Sequence, residues 1–340
     1  MKIFLCAFGI VLLLFIVLNV YLAVKYSHVN PGLRLIGWFY TLFNGFDSMD
    51  GLIKYATKPD KAIPRLGKSM EGKVDIKEDV IKREDGSLMS VVIYTPANAE
   101  PGAAGLLWIH GGAYAYGAPR RDERFFIPLV METNTVAVVP DYTRSVEAPY
   151  PAAFNDGVSA LVWMKEKAKD LGINIKQLFI GGCSAGSGMA AALAQYARNS
   201  SIVKIAYQIL IYPMLDDRMD TPSMAGNDEL IWNERQTALS WQLYLGDLYK
   251  TEDVPAYAAP AREEDLSGLP PAYSFIGTLD PLYDETVRYM NKIRESGTEV
   301  ICDIYEGAPH GFDAIPCKIA KQAKAKFLEE YKKAKEKYFA

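Results

Sequence analysis

Gln177-Leu178-Phe179-Ile180-Gly181-Gly182-Cys183-Ser184-Ala185-Gly186 is the stretch on which the fold turns. Residues 177–181 read as a short apolar strand closed by glycine, and 185–199 follow at once with helical periodicity. Between them stands the pentapeptide Gly182-Cys183-Ser184-Ala185-Gly186. A G-x-S-x-G arises by chance in roughly one chain of this size in ten, but a chance match rarely falls where a strand gives way to a helix. At such a junction the glycines permit a strained turn that exposes the Ser184 hydroxyl, and the amide of Ala185 can face a developing oxyanion. A phosphate-binding loop would need Gly-Lys-Ser/Thr at this turn, where the chain instead reads Cys183-Ser184-Ala185.

Upstream, His110-Gly111-Gly112-Ala113-Tyr114 ends an apolar strand at 105–110. Alone it reads as a tight turn. Beside a nucleophilic serine, its backbone makes Gly111, Gly112 and Ala113, with Ala185, candidate oxyanion donors. A serine is a weak nucleophile without a base, and histidine suits neutral pH. Of His28, His110 and His310, the first adjoins the apolar N-terminus and the second belongs to the glycine turn. His310, on a loop after the strand 300–305, is therefore the expected base, where parallel sheets place their ligands. The orienting acid is expected between serine and base in the chain. Leu279-Asp280-Pro281-Leu282-Tyr283-Asp284-Glu285 supplies it after the strand 272–277: Asp280 first, Asp284 second. In a helix's first turn Asp284 and Glu285 would simply complement its dipole.

Working outward, further strands are expected at 89–94, 136–140 and 205–212, and further helices at 153–171, 284–296 and 318–339. Such alternation, with strands apolar on both faces, predicts an α/β domain over 74–340: a mostly parallel sheet flanked by helices, with an antiparallel pair near 74–94. Two aromatic- or Met-rich segments, 26–73 and about 214–250, break the alternation and suit a helical cap over an apolar pocket. Plain helix packing explains any single one of their residues nearly as well.

At 340 residues, 50% hydrophobic and 23% charged with net charge −4, the chain is globular in composition and gives no general reason to expect nucleic acid. Four cysteines without a CxxC pair, and no HExxH, exclude a disulfide framework and make a metal site unexpected; no cofactor is implied. Cys302 and Cys317 can pair if the domain is exported, a point the sequence leaves open. Residues 1–25 are almost wholly apolar and are expected to form a single-pass N-terminal transmembrane anchor; a cleaved signal peptide is the alternative. The catalytic domain is then expected outside the cytoplasm, since the chain begins like a signal sequence.

These motifs in this order resemble the hormone-sensitive-lipase-like esterases, the branch of α/β-hydrolases that includes bacterial acetyl esterases and arylacetamide deacetylase. The resemblance runs from about Gly105 to Phe312. It rests on His110-Gly111-Gly112-Ala113, Asp141-Tyr142 with Glu147 and Pro151-Ala152-Ala153-Phe154-Asn155-Asp156, the G-x-S-x-G turn, Tyr212-Pro213, Leu269-Pro270-Pro271, Asp280-Pro281-Leu282-Tyr283-Asp284-Glu285 and His310-Gly311-Phe312. It implies a triad of Ser184, Asp280 and His310, and oxyanion donors at Gly112, Ala113 and Ala185. Cys183 stands where the family commonly has Asp, Ser187 where it has Gly, and Ala113 where the third glycine falls. A small apolar ester hydrolysed through an acyl-enzyme is the expected substrate. A non-catalytic binder on the same scaffold, and a peptidase or amidase, are the alternatives. Nothing here indicates an oligomeric state.

Overall fold

A computed structural model describes residues 2–58, 70 and 72–338, the side chains of 2–7 excepted. Three helices come first: α1 (Lys2–Lys25), α2 (Pro31–Asn44) and α3 (Met49–Ala56). Then follow β1 (Val74–Lys82), β2 (Leu88–Pro96), β3 (Ala103–Ile109), α4 (Glu123–Thr133), β4 (Thr135–Pro140), α5 (Ala152–Glu166), β5 (Ile173–Cys183), α6 (Ala185–Ser200) and β6 (Tyr207–Ile211). The chain closes with α7 (Glu234–Leu245), β7 (Ala272–Gly277), α8 (Tyr283–Glu295), β8 (Val300–Tyr305) and α9 (Lys318–Lys337).

The eight strands form one sheet in the order β1-β2-β4-β3-β5-β6-β7-β8. β1 and β2 are antiparallel, as is β2 with β4, and every later pairing is parallel. Every residue of β3, β4, β6 and β7 is buried, as mostly apolar strands between two helical layers require. β1, at one edge, carries Asp75, Lys77, Glu78 and Asp79, charges that discourage pairing with another chain.

α6 is rich in alanine, glycine and serine, and most of it is buried. Small side chains let it close on β5 and the Ile109–His110 backbone. A Cβ on Gly182 would stand 2.5 Å from the Ile109 carbonyl oxygen, and one on Gly186 would overlap that same oxygen. The two glycines of the pentapeptide are thus required by contact.

The expected strands and helices recur with shifted ends. The helix expected to 171 stops at Glu166, because the chain must turn back to feed β5, with Ile173 donating to Ala168 O at 2.7 Å. α4 had no counterpart in the sequence reading. Its Pro128 reads as a helix breaker, yet lies inside an eleven-residue helix packed by Phe125, Phe126 and Leu129. Of the segment 26–73, residues 59–69 and 71 lie outside the described residues.

The expected membrane anchor is overturned: among the described residues no helix is long and apolar enough to cross a membrane. Within α1, Asn19 interrupts the apolar run and gives its side-chain amide to Phe15 O at 2.8 Å. At its C-terminal end Leu22 is buried, and just beyond it Asn30 N donates to Gly307 O at 2.8 Å, tying the chain to the loop after β8. The membrane partner and extracytoplasmic placement drawn from that segment fall with it. Nor do Cys302 and Cys317 pair; both are free thiols.

Candidate active site

Three loops at the C-terminal ends of parallel strands converge on one point. Ser184 follows β5, Asp280 follows β7 and His310 follows β8. Ser184 Oγ lies 3.0 Å from His310 Nε2, and His310 Nδ1 lies 2.7 Å from Asp280 Oδ2. Asp280 is fully buried, and its other oxygen accepts the Leu282 amide at 2.9 Å. With Nδ1–H donating to Asp280, Nε2 is left to accept from the Ser184 hydroxyl.

Ser184 sits at φ 56°, ψ −125°, a backbone region that side chains rarely adopt. Neighbouring hydrogen bonds hold it there. The Ser184 amide donates to Ile211 O at 2.9 Å, and Ser187 Oγ lies 2.6 Å from Gly182 O and 3.0 Å from Ile211 O. Ser187, which departs from the family's glycine, bridges the turn to the next strand.

A cavity of about 440 Å³ opens beside Ser184, His310, Gly112 and Ala113. Ile231, Trp232 and Ile315 give it an apolar wall, and Trp232 lies against the His310 ring at 5.9 Å between centroids. Trp232 in turn meets Phe46, 5.8 Å away, which precedes α3. Thus the two segments that broke the α/β alternation meet beside His310.

The glycine turn is held from below. Gly111 N donates to Asp122 Oδ2 at 2.8 Å, and Cys183 Sγ donates to the same oxygen at 3.0 Å. Burial disfavours the ionised carboxyl of Asp122, but Arg124 and the Cys183 and Gly111 donors outweigh it and hold its pKa below the usual range. Arg124 continues the chain of contacts, donating to Asp313 at 2.8 Å and to Tyr212 Oη at 3.3 Å. Tyr212 Oη donates to Asp313 at 2.9 Å, and its ring meets His310 edge-on at 4.7 Å. Burial first, and then Asp122, push the Cys183 thiol well above its ordinary pKa, so it acts as a donor and not as a second nucleophile.

The remaining candidates have structural partners. Asp284 accepts the Ser223 amide at 2.7 Å and Glu285 the Leu215 amide at 2.7 Å, so both tie the 214–250 segment to α8, away from His310. His28 meets Glu229 at 2.9 Å. His110 stacks on Tyr142 at 4.2 Å, and Tyr142 Oη donates to His110 O at 3.0 Å, which fixes the start of the glycine turn. Asp156 accepts from Arg83 and Thr143.

Sequence reasoning missed the set Asp122, Arg124 and Asp313. Its trace is a charged run, Arg120-Arg121-Asp122-Glu123-Arg124, before the apolar Phe125-Phe126-Ile127, and an aspartate three residues beyond His310.

A profile described as the alpha/beta hydrolase fold matches residues 106–314. The chain belongs to the α/β-hydrolase family. The match bears out the resemblance to its hormone-sensitive-lipase-like branch. Among curated relatives, Esterase LipI of Mycobacterium tuberculosis is 31% identical over 208 residues, which span 61% of this chain and 65% of the relative. Ethyl acetate hydrolase of Pseudomonas putida is 27% identical over 268 residues, 76% of this chain and 84% of the relative. Among solved structures, Bacterial Heroin Esterase superposes with a TM-score of 0.85 at 30% identity, covering 91% of this chain and 99% of that one. This α/β hydrolase therefore shares its sheet, and the place of its strand-end loops, with proteins named as esterases.

Proposed function

We propose that Ser184, His310 and Asp280 act as a catalytic triad, and that this α/β hydrolase cleaves short-to-medium acyl esters through an acyl-enzyme. The chain is a carboxylic ester hydrolase, as its esterase relatives support. The observation that carries the residue assignment is the pair of contacts through His310, 3.0 Å to Ser184 and 2.7 Å to Asp280. His310 Nε2 takes the hydroxyl proton as Oγ attacks the ester carbonyl, and Asp280 steadies the imidazolium that forms. That proton passes to the departing alkoxide. Water then gives a proton to His310 while its oxygen attacks the acyl carbon, releasing the acid and restoring Ser184.

The oxyanion donors are the amides of Gly112, Ala113 and Ala185, each worth ~3–4 kcal/mol in comparable sites. Ala185 opens α6, where the first amides have no partner within the helix. Gly111 is set apart from them because its amide is already given to Asp122. Residues 26–58 and about 214–250 form the cap, and Trp232 and Phe46 supply its inner face. The Ile231, Trp232 and Ile315 wall suits an apolar acyl or alkyl group.

Ser184→Ala tests the assignment. It should abolish turnover of 4-nitrophenyl butyrate and labelling by a fluorophosphonate while leaving the circular dichroism spectrum unchanged. Turnover equal to the unaltered chain would end the nucleophile assignment.

A further inference from the structure

Three arginines line the cavity beside Ser184. Arg124 is committed to Asp313 and Tyr212, and Arg120 reaches the exposed Glu78 at 3.4 Å. Arg121 differs. Its guanidinium lies 5.1 Å from the centre of the Tyr116 ring, and among the described residues no carboxylate forms an ion pair with it. Neither acidic residue of the cavity wall forms an ion pair with Arg121. Asp122 takes Gly111, Cys183 and Arg124, and Glu123 accepts from Tyr94 at 3.0 Å.

Burial works against this guanidinium, and it is offset by neighbouring phenols and by Asp122, a carboxylate already engaged by other donors, so among the described residues no ion-pair partner of its own is at hand. The planar guanidinium fork matches a carboxylate, which it binds through two parallel hydrogen bonds. Tyr40, Asn44 and Gln236 add phenol and amide groups to the lining of the same cavity. This wall is built for a polar, negatively charged substituent, whereas the Trp232 wall is built for an apolar one.

We infer that Arg121 binds a carboxylate carried by the ester substrate, so that the preferred substrates are esters with a second, ionised carboxyl group. The inference rests on the esterase reading of Ser184 and deepens it. The carboxylate reaches the cavity either on the acyl side, as in a half-ester of a dicarboxylic acid, or on the alcohol side, as in an ester of a hydroxy acid.

Two matched substrate pairs, given to the full chain, separate these sources. Monoethyl adipate against diethyl adipate places the charge on the acyl side. 4-Acetoxybenzoate against its methyl ester places it on the leaving group. In at least one pair the anionic ester should have a kcat/KM about tenfold above the neutral one, the order of a charge-assisted hydrogen bond. Arg121→Gln should then lower that anionic-to-neutral ratio about tenfold, chiefly through KM. Arg121→Lys should restore part of it, and added salt should erode it.

A chain that favours the neutral ester in both pairs overturns the inference, whatever the variants do, and leaves the esterase reading intact. So does a preference for the anion that Arg121→Gln leaves unchanged. Absence of turnover of all four esters, and of 4-nitrophenyl butyrate, would instead remove the esterase reading and this inference with it.

Discussion

Asp280 and Asp313 are both fully buried carboxylates on loops beside His310, yet they face opposite kinds of partner. Asp280 meets the imidazole of His310, a ring that can both give and accept a proton, and His310 lines the cavity. Asp313 meets the guanidinium of Arg124, which never titrates, and the hydroxyl of Tyr212. The contrast shows how one chemical group does two jobs. A carboxylate against a titratable ring, with a hydroxyl beyond it, can direct a proton. A carboxylate against a permanent cation can only hold a shape. Arg124 and Asp122 carry that shape to the glycine turn, so the second set acts on the first by fixing where its amides stand.

Exchanging the two aspartates should separate the roles most sharply. Asp280→Asn should lower kcat by about four orders of magnitude, because the amide favours the wrong imidazole tautomer, with little change in the urea midpoint. An equal loss of stability in that variant would show that Asp280 is a brace as well. Asp313→Ala strands Arg124 without its buried partner and should cost about 3–5 kcal/mol in urea unfolding. Its kcat, measured well below the unfolding midpoint, should fall far less than that of Asp280→Asn. A collapse of kcat at unchanged stability would reverse the comparison.

The glycine turn offers a pH test. Burial lowers the His110 pKa to about 4, only partly offset by its bond to Gly111, from an unfolded value near 6.5. Between those values the unfolded chain binds the proton and the folded chain does not, so stability rises with pH there. His110 therefore adds no loss above pH ~6.5, and about 3 kcal/mol is lost as pH falls from there through 4. His110→Gln should flatten that acid limb in chemical unfolding curves. An unchanged limb would place the acid sensitivity elsewhere.

The smallest expected effect is at Cys183. Removing its hydrogen bond to Asp122 with Cys183→Ala should cost on the order of 1 kcal/mol. Cys183→Ser, which keeps a donor, should cost less and retain fluorophosphonate labelling at Ser184. Labelling lost with the thiol would give Cys183 a chemical part.

The central strands were legible because a strand buried on both faces must be written largely as an apolar run, as β3 is. Ser184 was legible because the turn around it admits only glycine at 182 and 186, a contact requirement that leaves its mark in sequence. His310 and Asp280 followed from elimination and chain order. α4 was not legible, since tertiary packing overrides the local signal of Pro128. Nor was the N-terminus correctly weighed. Its apolarity suggested a membrane, whereas no described helix is long and apolar enough to cross one.

Sequence by itself therefore determined the sheet, the serine at the strand-to-helix turn and the short menu of partners, because local backbone geometry and burial impose residue types position by position. Only the tertiary structure decided which amide of the glycine turn is already engaged, which aspartate meets the imidazole, and which arginine of the cavity forms no ion pair among the described residues. Those are distances between side chains 11 to 189 positions apart, and no local propensity encodes them.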